Sequence, residues 1–185
     1  MVSFFDRLFG RKGARREPDR VFMSKDAKWR SLRGLSGWTF IAHFPATKRE
    51  AQEFARASGF SISIRMASDL APGIGSGAEP NLRVAVLERH PLREHDARIG
   101  AWADGTASNL VFLVSLDDAL LGVFAGSIRS VLDRLGMDPN EAIERAVVSQ
   151  SIASAQEKIR KTATGDLSAE SVAQWMKVNL PSARD

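Results

Sequence analysis

Trp38-Thr39-Phe40-Ile41-Ala42-His43-Phe44 is β-branched, aromatic and almost unbroken in apolar character. A strand buried on both faces reads this way, because neither face can carry polar side chains, and such strands belong to parallel sheets covered by helices. Outward from it, Thr47 and Glu50 form a capping-box pair that predicts a helix running through Ala51, Phe54 and Ala55 to Gly59. Phe60 to Met66, where Ile62 and Ile64 alternate with serines, predicts a second strand. Val84 to Leu87 and Leu110 to Val114 predict two further buried strands, with a polar or helical segment around Arg89 to Ile99 between them. Ahead of Trp38, Val21-Phe22-Met23 predicts an edge strand. Asp26 to Leu32 predicts a turn or two of helix, with Ala27 and Trp29 flanked by Lys25, Lys28 and Arg30. Strand alternating with helix specifies an α/β fold, a mainly parallel sheet flanked by helices.

Beyond Ser115 the pattern turns helical. Leu116, Leu120, Val123, Phe124, Val131, Leu132 and Leu135 keep helical spacing until Gly136. Asp138-Pro139-Asn140-Glu141 is a second start signal, with Asp at the N-cap and Pro at the first helical position. Ile143, Val147, Val148, Ile152, Ala155 and Ile159 then make one apolar stripe, and a last helix over residues 168–177 carries Val172, Trp175 and Met176. Pro72, Gly73, Gly75, Gly77 and Pro80 mark a loop.

The chain has 185 residues, 44% hydrophobic and 26% charged, enough for one domain with a buried core. It has no cysteine, which excludes disulfides and thiolate metal sites and fits a reducing compartment. No apolar run approaches the roughly 20 residues that span a bilayer. The start does not read as a secretory signal, since charges interrupt its apolar residues. The net charge is +4, with basic residues concentrated near the start. Met1, Val2, Phe4, Phe5, Leu8 and Phe9 fall on one arc of a helix, Gly10 can end it, and Arg11, Lys12, Arg15 and Arg16 follow. Phenylalanines on one face beside a basic cluster describe a helix lying in an anionic membrane surface. Interleaved aromatics for base stacking are missing, so no nucleic acid is expected. Arg15 to Asp19 reads as a linker ending at Pro18.

Two stretches carry a family resemblance. The first is Leu82-Arg83-Val84-Ala85-Val86-Leu87-Glu88-Arg89-His90, continued by Arg93 and Asp96. The second is Val114-Ser115-Leu116-Asp117-Asp118-Ala119-Leu120-Leu121, followed by Arg134-Leu135-Gly136-Met137, Ala142-Ile143-Glu144 and Val148 to Gln156. Together with Asp19-Arg20-Val21-Phe22, Ser24 and Lys28, they resemble the second nucleotide-binding domain of SecA, the motor ATPase of bacterial preprotein translocation, and the start of its helical scaffold. The likeness covers most of residues 19–160. It implies a RecA-like, P-loop NTPase-like sheet over residues 19–116 and a scaffold-like helical extension over 117–185. Residues 1–18 resemble the short amphipathic, basic start of SecA that contacts lipid. The resemblance also implies a cytoplasmic protein held peripherally at the inner face of the cell membrane.

The departures from the family decide the expected activity. In SecA a Gly-Arg-x-Gly-Arg element follows the Glu-Arg-His strand, and its arginines reach the γ-phosphate of ATP. Gly100-Ala101-Trp102-Ala103-Asp104 stands there in this chain, with Ala101 and Asp104 where cations are needed. Arg98 takes the place of the family's glutamine. Of a second element, Gly-Arg-Gly-Thr-Asp, only the preceding Met66-Ala67 survives, before Ser68-Asp69-Leu70. The chain is shorter between Phe44 and Met66, as if one helix-strand unit were lost. No Gly-x-x-x-x-Gly-Lys-Ser/Thr phosphate loop occurs. The expectation is a pseudo-ATPase without ATP or other cofactor, whose degenerate motif positions are Glu88, Arg89, His90, Arg98, Ala101 and Asp104. Its expected partners are the membrane surface and the translocon, full-length SecA or another membrane protein complex. The alternative is a subunit of a split translocating ATPase whose phosphate loop lies on another chain; a third reading is an adaptor repurposed for another envelope machine.

Other chemistry reads blandly. His90 and His95 lie near Glu88, Glu94 and Asp96 but match no metal-ligand spacing, so they read as polar residues at a strand end and on a solvated helix, and no metal is expected. Asp117 and Asp118 read as acids at a helix N-terminus. Gly73-x-Gly75-x-Gly77 reads as a flexible turn, and no catalytic constellation stands out.

Overall fold

A computed structural model describes residues 14–70, 82–107, 109–122, 138, 141–144 and 146–181. Six parallel strands form one sheet: β1 (Arg15–Arg16), β2 (Arg20–Phe22), β3 (Trp38–Ala42), β4 (Ile64–Met66), β5 (Arg83–Val86) and β6 (Asn109–Ser115). Their order is β1-β6-β5-β3-β4, with β2 also paired to β6. The helices are α1 (Lys25–Ser31), α2 (Pro45–Ala57), α3 (Arg93–Thr106), α4 (Ala119–Gly122), α5 (Ala146–Thr162) and α6 (Val172–Asn179). This is the expected RecA-like α/β arrangement, a parallel sheet flanked by helices, followed by a helical extension.

The strand period of two sorts each apolar run onto two faces. Phe40, Ala42, Ala85, Leu87, Val111 and Leu113 pack with Ala27, Trp29 and Ala51 of α1 and α2. Ile41, Val84, Val86, Leu110 and Phe112 pack with Ile99 and Ala103 of α3. Both faces are covered, which is why the strands carry no polar alternation. A third cluster joins Val21, Phe44 and Val114 to Leu120, Leu121, Ile152, Val172 and Trp175, seating the helical extension on the sheet.

Several expectations are corrected. Arg15 to Asp19 is not a solvated linker, because β1 pairs with Asn109 and Leu110 and the Glu17 N–H donates to Leu110 O at 3.0 Å. Arg16 donates to Gly100 O at 2.8 Å and pairs with Asp104 at 2.7 Å, while Arg15 is exposed on the edge strand. Phe4, Phe5, Leu8, Phe9, Arg11 and Lys12 lie outside the described residues, as do 71–81 and 123–137. Helix α2 starts at Pro45, two residues ahead of the expected box; proline needs no N–H partner at that position. Thr47 is bound by Glu88 instead, and Glu50 pairs with Lys25 at 3.0 Å. Gly59 ends α2 as expected: at φ +76° it lets the Phe60 N–H reach back to Ala55 O at 3.0 Å. Only Ile64–Met66 of the 60–66 run joins the sheet. Ile143 leaves the helical stripe. Its N–H and C=O exchange hydrogen bonds with Val21 (2.9 and 3.1 Å), completing the outer edge of β2 that β6 leaves open.

Lys28, read from sequence as a flanking charge, is buried with 1% of its side chain exposed. Its Nζ donates to both Asp118 oxygens at 2.9 Å and to Leu87 O at 3.2 Å, and lies 4.5 Å from the Trp29 ring centroid. Asp118 also accepts the Ser115 N–H and hydroxyl at 2.8 and 3.0 Å. It is thus the counter-ion of Lys28 rather than a plain helix cap, and Asp117 accepts the Lys25 N–H at 2.9 Å. The pair ties α1 to the carboxyl ends of β5 and β6. Lys28→Met leaves the Asp118 carboxylate buried without its cation and is expected to cost about 3–5 kcal/mol in urea unfolding. Lys28→Met with Asp118→Leu is expected to recover much of that loss, and additive losses would show that the two residues are not coupled.

Candidate functional site

The carboxyl ends of β3 and β5 lie side by side and deliver His43 and Phe44 from one strand and Glu88, Arg89 and His90 from the other. Glu88 is 3% exposed. One of its oxygens accepts the N–H groups of His43 and Phe44, both at 3.0 Å, and the other accepts the Thr47 hydroxyl. It thereby caps the N-terminus of α2, where Phe44 offers no side-chain acceptor and the helix dipole favours an anion. Burial pushes the Glu88 carboxyl above its ordinary range, and the charge of His43 and the Thr47 hydrogen bond offset this only in part.

Arg89 lies over Phe112, with its guanidinium carbon 3.5 Å from the ring centroid. It donates to Asp19 through two nitrogens and to Asp96 Oδ2 at 3.1 Å. Asp96, on the first turn of α3, gathers the rest. Its Oδ1 meets His43 Nε2 at 2.8 Å and the His90 N–H at 3.1 Å, and its Oδ2 accepts Gln156 Nε2 at 2.7 Å. Burial would raise the Asp96 carboxyl, but the His43 hydrogen bond and the Arg89 charge outweigh it and hold the group below the ordinary carboxylate range. Gln156 also donates to His90 O at 2.7 Å, so α5 is bolted to the same point.

The histidines are not scattered polar residues. His90 stacks on His95 with centroids 3.7 Å apart and on Phe44 at 5.2 Å, with His43 and Trp175 edge-on at 5.3 and 5.4 Å. His90 Nδ1 accepts the Leu92 N–H at 3.0 Å, so the neutral ring carries its proton on Nε2. Burial, reinforced by His43 and His95, pushes the His90 pKa down to about 3. His95 Nε2 meets Asp166 at 2.7 Å, Arg98 donates to His95 Nδ1 at 2.7 Å, and the Trp175 indole donates to Asp166 at 3.0 Å. Burial opposes ionisation of Asp166, but these two donors outweigh it and hold the carboxyl below its usual value. His90, His95 and Asp166 bring potential ligand atoms within 4.8 Å of one another. Yet the two rings are stacked, and the His90 Nδ1 lone pair is already used, so the group presents N–H donors rather than converging lone pairs.

Beside this hub opens a cavity of about 690 Å³. Ala67, Ser68 and Leu70, just after β4, form one wall, and Arg98, Ala101 and Trp102 of α3 form another; His43, His90, His95, Asp166 and Trp175 also line it. The two degenerate stretches singled out in the sequence therefore face one space. Of the six motif positions, Glu88, Arg89 and His90 build the hub, while Arg98 and Ala101 line the cavity. Asp104 does neither: it accepts the Ala14 N–H at 3.1 Å and pairs with Arg16. Sequence reasoning missed Asp19, His43, Asp96, Gln156 and Asp166 as site residues. Gln156 left one signal, a polar residue four after Ile152 on the buried side of α5.

The neutral His90 makes the fold acid-sensitive. Between pH 6.5 and about 3 the unfolded chain holds a proton there that the folded chain does not, so stability falls with pH by up to about 1.4 kcal/mol per unit. Urea titrations from pH 7 to 5 are expected to give a shallower decline for His90→Gln than for the parent; equal slopes would assign the acid sensitivity elsewhere.

No family model matches the chain. Curated relatives do match. The protein translocase subunit SecA of Verminephrobacter eiseniae is 36% identical over 115 residues, 60% of this chain and 12% of that protein. The same subunit from Delftia acidovorans is 43% identical over 83 residues (42% and 9%), and that of Herminiimonas arsenicoxydans 42% over 85 residues (44% and 9%). The chain thus aligns with only about a tenth of the length of these relatives. Among the described residues, no helix is long and apolar enough to cross a membrane. Sequence similarity and the parallel α/β sheet together identify the chain as a SecA-like partial homologue.

Proposed function

We propose that this chain is a non-catalytic, SecA-like binding module at the cytoplasmic membrane face that assists protein translocation or the assembly of a membrane complex. One observation supports this above the rest. The two stretches that correspond to the family's phosphate-gripping arginines meet at one cavity, and that cavity is walled by Ala67, Leu70, Ala101 and Trp102. Its one arginine among the described residues, Arg98, is bound to His95. Phosphoryl transfer needs cations where charge spreads onto the γ-phosphate, and a single such arginine is worth about 10³–10⁵ in rate. Asp104, at another of those positions, is occupied by Arg16. What the chain keeps is the scaffold: a sheet, a polar hub and the helix α5 locked onto it through Gln156.

In this reading the module docks. Its partners are the translocon, full-length SecA or another membrane protein complex. Phe4, Phe5, Leu8 and Phe9, with Arg11 and Lys12, hold it on anionic lipid. Arg15 and Arg16 contribute from the sheet edge.

Two measurements check the reading. Calorimetry of the purified chain with magnesium and ATP is expected to give no saturable binding, and turnover of ATP would overturn the proposal. Saturable binding that arises only with a second chain would favour a split ATPase instead. Alanine at Phe4, Phe5 and Phe9 is expected to release the protein from anionic liposomes, and unchanged binding would remove the anchor from the scheme.

A further inference from the structure

We propose that the cavity beside His90 is a binding site for a small monocarboxylate carried on an apolar body. The first ground is a fixed donor on the cavity wall. His90 Nδ1 is taken by the Leu92 N–H, so the neutral ring presents Nε2–H as a donor. The ring lines the cavity, where an occupant's oxygen would accept from it.

The second ground is the electrostatics of the same space. Arg98 spends one terminal nitrogen on His95 and has no other acceptor among the described residues, so it retains N–H groups for an anion. Among the described residues Asp166 is the one carboxylate lining the cavity, and it is engaged by His95 and the Trp175 indole. The remaining N–H groups of Arg98 and the His90 donor match a single negative charge. A dianionic phosphate would face Asp166 with neither a second cation nor a lysine among the described residues of the cavity wall.

The third ground is shape. Leu70, Ile99 and Trp102 supply an apolar wall, and about 690 Å³ lies within the range of small-molecule sites. The inference goes beyond docking and concerns the cavity's content alone.

The test titrates the full chain, followed by imidazole and indole ¹H–¹⁵N spectra, with phenylacetate, its uncharged amide phenylacetamide, inorganic phosphate and magnesium-ATP. Phenylacetate is expected to shift the His90 Nε2 and Trp102 signals saturably, with a dissociation constant on the order of 1 mM. The amide, and phenylacetate on Arg98→Ala, should bind about tenfold more weakly. Ala101→Phe, which fills the cavity without touching a polar group, should abolish the shifts. No saturable shift with phenylacetate, or equal affinity for the amide, would overturn the proposal. So would phosphate displacing phenylacetate at equal concentration. Saturable ATP binding alone would count against the docking reading, and failure of phenylacetate alone against this one.

Discussion

The carboxylate of Asp96 is the constraint on which the functional end of the molecule depends. It is 4% exposed, and its two oxygens receive His43 from β3, Arg89 and His90 from the end of β5, and Gln156 from α5. A buried carboxylate with a single partner would be a net cost; with four donors it becomes a node that fixes the relative positions of the elements sending them. Glu88 repeats the device one residue from Arg89, using its charge to close the N-terminus of α2. Between them the two acids set the loops after β3 and β5, and so the rear wall of the cavity.

A RecA-like sheet gathers loops at the carboxyl ends of its strands, where ligands of open α/β sheets are found. The hub keeps those loops ordered with internal charges alone. Arg89 closes on Asp19 and Asp96, and Lys28 on Asp118. Arg89 and Lys28, at the carboxyl ends of the strands, are therefore committed to holding the fold.

The sheet was legible in the sequence because its signal is local: Trp38–Phe44, Val84–Leu87 and Leu110–Val114 announce buried strands by composition. The Glu-Arg-His run and the altered Gly100–Asp104 stretch were legible through resemblance. The rest was hidden where meaning depends on a distant partner. Lys28 looks like any surface lysine until Asp118, 90 residues on, is placed against it. Thr47 and Glu50 satisfy a capping rule on paper, but a buried Glu88 competes for the threonine hydroxyl and Pro45 starts the helix earlier. Asp166 carries no motif at all and reaches His95 only because α6 folds back over Phe44 and His90.

The edge strands carry one more consequence. β1 and β2 run parallel to β6 along one border, with Glu17 bonded between them and Ile143 clasping Val21 from outside. A pull on the chain ahead of Ala14 is directed along these strands, so it strains their cross-links together in shear instead of peeling them singly. A load applied at that end would be shared among these cross-links.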